Sequence, residues 1–76
     1  MEEINEIALL KELGASLRKT RTQKGYTLLQ IEAWSGIDKS DVSKIERGKI
    51  NPTYSTLIKL CVALEEPLYK VLQVKG

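Results

Sequence analysis

Lys39, Ser40, Ser43 and Lys44 are the residues whose types and spacing point most directly to chemistry. In a helix they share one broad face. Their ammonium and hydroxyl groups offer the donors and acceptors that base edges and phosphates require. The chemistry implied is polar recognition, with no bond made or broken. Bond-making chemistry has little to work with, because the 76 residues contain no histidine and one cysteine, Cys61. Neither a Ser-His or Cys-His pair nor a structural zinc site can be assembled within one chain. No phosphate loop is present either. The expectation is a non-enzyme with no catalytic residue, no metal, no cofactor and no small-molecule ligand.

A reading face must be held by something, and the flanking residues say what. Thr27 with Gln30 three residues on makes a capping box, and Tyr26 and Ile31 stand at the two positions of a hydrophobic staple. Gly36 stops that helix about nine residues later. Asp38 can cap the next helix, Asp41 sits in its first turn, and Ile37 and Val42 form a second staple. Gly48 ends it. Two short capped helices joined by a glycine-bearing turn describe a helix-turn-helix over about residues 27–47. Ile31, Ile37, Val42 and Ile45 are the small core expected to fix the angle between them. A bland alternative stands beside this: any all-helical domain has capped short helices, and the polar residues are then a solvated face.

The rest of the chain is also helical in pattern. Ile7, Leu10, Leu13 and Leu17 lie on one stripe of a helix from about Asn5 to Lys24, which Gly25 ends. After the turn dipeptide Asn51-Pro52, Thr53 can cap a fourth helix carrying Leu57, Leu60, Cys61 and Leu64. Pro67 suits the start of a fifth helix with Leu68, Val71 and Leu72 apolar. Alternating strand patterns are missing. The fold expected is all-α, a compact five-helix domain, with residues 1–12 a helical extension and residues 13–72 the domain proper.

Charge is uneven along the chain. Residues 1–12 carry Glu2, Glu3, Glu6 and Glu12 against Lys11, a net −3. Residues 13–49 carry Arg18, Lys19, Arg21, Lys24, Lys39, Lys44, Arg47 and Lys49 against Glu32, Asp38, Asp41 and Glu46, a net +4. The positive charge sits where a DNA-facing surface needs it. No apolar run reaches the length of a membrane span, and the acidic N-terminus is unlike a signal peptide, so a cytoplasmic protein is expected.

The run Gly36-Ile37-Asp38-Lys39-Ser40-Asp41-Val42-Ser43-Lys44-Ile45-Glu46-Arg47-Gly48, followed by Asn51-Pro52 and preceded by Arg21, resembles the Cro/lambda-repressor (xenobiotic-response-element) family of helix-turn-helix domains. The resemblance covers Leu13 to Leu72. Small size and the Leu60-Cys61-Val62-Ala63-Leu64 stretch look most like restriction-modification controller proteins. It implies a lambda-repressor-like fold and a DNA-binding transcriptional regulator. Lys39, Ser40, Ser43 and Lys44 match positions that face bases. Thr27, Arg47, Lys49, Asn51 and Tyr54 match positions that approach phosphates, and Arg21 with Glu46 matches a partly buried ion pair.

Three positions depart from the family pattern. Leu28 replaces a glutamine that bridges a phosphate and the recognition helix. Glu32 replaces an alanine packed against that helix, so its carboxylate must turn outward or find a cation, with Lys44 a candidate, or else the angle between the two helices opens. Glu65 replaces a helix-ending glycine, and a left-handed glutamate costs about 1 kcal/mol. Trp34 falls where the family is polar, and is read as a local packing residue or a partner-binding anchor. Cys61 is read as a buried core residue.

The expected partners are double-stranded DNA and a second copy of the chain. One recognition helix reads few base pairs, and a two-fold operator multiplies specificity. Leu68, Tyr69 and Leu72 are the expected dimer residues, with Val74, Ile4 and Ile7 adding to the strip, because one face of a short helix cannot bury them all. The alternative function is an antitoxin or coactivator-like protein-interaction module on the same fold, favoured by Leu28, Leu29 and Trp34.

Overall fold

Side-chain oxygens set the helix starts in this chain. Asn5 Oδ1 accepts the amide of Ala8 at 3.1 Å and opens α1 (Glu6–Gln23). Thr27 Oγ1 accepts the amide of Gln30 at 3.0 Å and opens α2 (Leu28–Ser35). The capping box is complete, since Gln30 Oε1 takes the Thr27 amide at 2.8 Å. Asp38 and Thr53 do the same for α3 (Lys39–Glu46) and α4 (Tyr54–Leu64), and the Pro67 carbonyl accepts the amides of Lys70 and Val71 in α5 (Leu68–Leu72). The computed structural model describes residues 5–72 and contains no strand among them. Ile4 and Val74 lie outside the described residues.

The helix ends are as local as their starts. Gly36 closes α2 at φ 76°, a left-handed value that suits a residue without Cβ. Glu65 closes α4 at φ 56°, the one left-handed non-glycine residue among those described. Its neighbours compensate for the strain. Lys24 Nζ donates to the carbonyls of Leu64 and Glu65 and pairs with Glu66 at 3.1 Å, while Tyr26 Oη donates to Glu65 Oε1 at 3.1 Å. The end of α1 and the start of α2 therefore hold the end of α4.

All five helices feed one core. Leu17 of α1, Ile31 of α2, Val42 and Ile45 of α3, Leu60, Cys61, Ala63 and Leu64 of α4, and Val71 of α5 are buried together. Fully burying a residue such as Ile31, Leu60 or Val71 contributes about 1.5–3 kcal/mol. Ile37, which the sequence places in the core between α2 and α3, packs against this cluster while only partly buried.

The seam that positions α3 is made by α1. Gly14 is buried, and a Cβ there would run into the carbonyl oxygens of Ile45 and Glu46. One turn earlier Lys11 lies against Gly48, where an added Cβ would meet Lys11 Cα at 2.8 Å. α1 runs unbroken through residues 12 and 13, so the expected boundary there falls inside a helix. Ser16 Oγ donates to the Val71 carbonyl and ties α5 to the other flank of α1.

Candidate DNA interface

α3 is eight residues long and divides sharply into a held side and an open side. Val42, Ile45 and Glu46 are buried, with Glu46 8% exposed. Lys39, Ser40, Asp41 and Lys44 are exposed, and Ser43 is half-buried. Three of the four expected base-reading residues thus stand in solvent, and the fourth is partly occluded. Ser40 Oγ donates to Asp38 Oδ1 at 2.7 Å, leaving its lone pairs free to accept.

The held side rests on an ion pair. Arg21 Nε donates to Glu46 Oε2 at 2.7 Å, its second terminal nitrogen donates to Oε1 at 3.0 Å, and its first donates to the Tyr26 carbonyl at 2.9 Å. This two-pronged geometry, with side-chain exposures of 12% and 6%, leaves neither charge uncompensated. The hydrogen bond to Glu46 holds the Arg21 guanidinium further up than usual, against the opposing effect of burial. One side chain on α1 therefore fastens the far end of α3 and the residue that precedes the cap of α2.

Around the open side stand the residues matched to phosphate positions. Arg47, Lys49, Asn51 and Tyr54 are all exposed and follow α3 in the chain. Thr27 is exposed at the start of α2, with its hydroxyl oxygen engaged in capping. The amides of Leu28 and Leu29 have no acceptor among the described residues, as expected of the first turn of a helix. Leu28 itself is half-buried against the core, so the position that cannot bridge to a phosphate contributes packing instead.

Glu32 corrects an expectation. Among the described residues its carboxylate pairs with no cation, Lys44 included. Oε2 accepts the backbone amide of Lys39 at 3.0 Å, the first amide of α3. The partial positive charge of a helix N-terminus substitutes for the missing cation. Asp38 works beside it, accepting the Ser40 amide at 2.8 Å, and the Ser40 hydroxyl and amide hold the Asp38 carboxyl below its ordinary value. Sequence reasoning also passed over Gly14 and Lys24. A glycine inside a strong helical pattern was the available signal for the first. The reach of Lys24 across 40 residues had none.

Away from α3, Tyr26 and Trp34 meet edge to face with centroids 4.9 Å apart. Trp34 remains 51% exposed, so it is at once packed and available. Cys61 is buried, and burial pushes its thiol up. On α5, Val71 is fully buried, Leu68 is half-buried, and Tyr69 and Leu72 are exposed, as is Ile7 on α1. No group of three metal-ligating side chains occurs among the described residues, and no helix among them is long and apolar enough to cross a membrane.

Residues 14–76 match the helix-turn-helix domain family. An uncharacterised HTH-type transcriptional regulator of Haemophilus influenzae is 40% identical, with 99% of this chain and 78% of that protein aligned. A second, y4dJ of Sinorhizobium fredii, is 41% identical over 71% of this chain and 70% of its own length. Among solved structures, the restriction-modification controller protein C.AhdI from Aeromonas hydrophila superposes with a TM-score of 0.82 at 34% identity, covering 84% of this chain and 97% of that one. The clp gene regulator ClgR from C. glutamicum superposes at 0.81 and 32% identity, covering 93% and 87%. The chain belongs to the helix-turn-helix domain family, and its described residues form an all-α fold of five helices that superposes on these regulators.

Proposed function

We propose that the protein is a transcriptional regulator that reads a two-fold symmetric operator as a homodimer, with α3 in the major groove. The observation that carries this reading is the division of α3. Its inner side is clamped by Arg21 and the Gly14 seam, while Lys39, Ser40 and Lys44 stand free on the other. A rigidly backed helix of this width fits the major groove and presents donors to base edges. Ser43 reads at the margin of that face.

Arg47, Lys49, Asn51 and Tyr54, together with Thr27 and the open amides at the start of α2, contact phosphates and fix the register. The second copy docks on the strip formed by Leu68, Tyr69 and Leu72, of which Tyr69 is 61% and Leu72 50% exposed. Such a closed dimer spaces its recognition helices about 34–36 Å apart, one turn of B-DNA.

One observation favours a second reading, a protein-interaction module on the same fold. Trp34 and Val62, the latter 72% exposed, line an open groove with Tyr26, Ala63 and Glu65. A single experiment separates the two: selection of bound sequences from a random duplex pool, run with the wild type, Lys44→Ala and Tyr69→Asp. The wild type should enrich an inverted repeat with half-sites about one helical turn apart. Lys44→Ala should lose preference at one or two base pairs of each half-site, with affinity down by ~1–3 kcal/mol. Tyr69→Asp should enrich single half-sites. Absence of any enriched sequence would rule out the operator reading and leave the interaction module. Enrichment of an asymmetric site by the wild type would remove the dimer.

A further inference from the structure

The N-termini of the two helices in the helix-turn-helix pair are finished in opposite ways. At α2 a neutral hydroxyl takes one amide, and Leu28 and Leu29 keep theirs open. At α3 every one of the first four amides is taken. Lys39 donates to Glu32 Oε2, Ser40 to Asp38 Oδ1, and Asp41 and Val42 to the Asp38 carbonyl at 2.9 and 3.0 Å. Two of the four amides are taken by carboxylate oxygens. The end of α3 is therefore closed and carries negative charge, while the end of α2 is open and carries none.

A helix N-terminus with free amides attracts any phosphate within reach, whatever the base sequence beside it. At the reading helix that attraction is harmful, because it rewards every register on the duplex equally. A carboxylate already seated there competes with phosphate and repels it. The Glu32 carboxylate also spans from α2 to the first residue of α3, across seven positions in sequence, and so ties the two helices at the end opposite the Arg21–Glu46 clamp.

We propose that Glu32 is a specificity-determining positioning residue: its carboxylate holds the first amide of α3, keeps phosphates off that end, and confines phosphate contacts to α2 and the residues after α3. This rests on the operator-reading role proposed above. Glu32 touches no base. It acts through the placement of Lys39 and Ser40 and through the charge it keeps beside them. The consequence is a change of opposite sign on two kinds of duplex, which a plain loss of stability cannot produce.

The test uses the full chain as wild type, Glu32→Ala and Glu32→Gln, titrated onto the duplex enriched in selection and onto a mixed-sequence duplex of equal length, over a series of salt concentrations. Glu32→Ala should bind the enriched duplex more weakly and the mixed duplex more tightly. The ratio between them should fall roughly tenfold or more, the size of one charge-assisted hydrogen bond. Its salt dependence on the mixed duplex should steepen by about one unit of log–log slope, one added phosphate contact. Glu32→Gln keeps an oxygen for the Lys39 amide and loses the charge. It should keep its affinity for the enriched duplex while gripping the mixed duplex more tightly, so that the ratio falls by about threefold, less than in the alanine variant. Thermal unfolding of each variant confirms that the folded protein is being titrated, and the glutamine variant answers the question where the alanine variant unfolds. Equal weakening on both duplexes, or an unchanged ratio, overturns the proposal and leaves Glu32 a cap that only stabilises. A wild type with no preference between the duplexes overturns the operator reading itself, a result distinguishable from the other.

Discussion

Glu46 and Arg47 are neighbours in sequence and opposites in environment. Glu46 is buried and bonded twice to Arg21, whereas Arg47 is exposed and its side chain, among the described residues, reaches only the Ser43 carbonyl, at 3.3 Å. The same contrast runs the length of α3, with Val42 and Ile45 in the core and Lys39, Ser40 and Lys44 outside it. A helix of eight residues cannot be stable by itself, so its orientation is borrowed from what backs it. The lesson is a separation of tasks within one element. Changes on the backing side should be felt in folding, and changes on the open side in binding.

The strongest test of that separation is Gly14→Ala. Helix propensity alone favours alanine in the middle of α1 by about 0.5–1 kcal/mol. The added methyl, however, enters the carbonyls of Ile45 and Glu46, which are backbone and cannot swing away. The clash decides the sign, and we expect a net loss of ~3 kcal/mol or more in urea unfolding, at the upper end of overpacking costs. A neutral or stabilised variant would show that the α1–α3 seam gives way easily and that α3 is not rigidly backed.

On the open side, Arg47→Ala should leave stability within about 0.5 kcal/mol of wild type, as for other exposed substitutions. It should weaken all duplexes alike and lower the salt slope of binding by about one unit. Altered base preference in this variant would move Arg47 from phosphates to bases and blur the division of α3.

The smallest effect lies at the junction of the two sides, at the Asp38 cap. Its carboxyl is held below the ordinary value in the folded state by the Ser40 hydroxyl and amide. A depressed value means a contribution that is fully present above the unfolded-state value of about 3.9 and lost as the pH falls through the folded-state value. Asp38→Asn retains a capping oxygen and does not titrate there. The stability difference between wild type and this variant should stay flat from neutral pH to about 5 and shrink below about 4, as read by thermal unfolding across that range. A difference that persists unchanged into strong acid would show that the carboxylate contributes only as a neutral acceptor does.

Much of this molecule was legible in its sequence because much of it is locally specified. Asn5, Thr27, Asp38 and Thr53 cap amides two or three residues away, and Gly36 turns the chain by its own freedom. The Thr27–Gln30 box and the apolar stripe of α1 need nothing beyond the helix they belong to. What escaped depends on distant neighbours. Glu32 looks like an unpaired charge until α3 folds back and brings the Lys39 amide to it. Lys24 looks like one more surface cation until the end of α4 arrives with two carbonyls and Glu66. Gly14 looks like a weakness in a helix until its missing side chain proves to be the space where α3 ends.

By itself, the sequence determined the number and type of elements, their starts and stops, and the polar character of the α3 face. These follow from capping, periodicity and glycine conformation, all interactions within about four residues. Tertiary structure alone decided what holds each helix. Which amide receives Glu32, which carbonyls receive Lys24, and how close α1 approaches α3 depend on packing between segments far apart in the chain. Such contacts form only after the local elements exist, and burial of the shared core brings them together. Their pattern along a chain has no period to read.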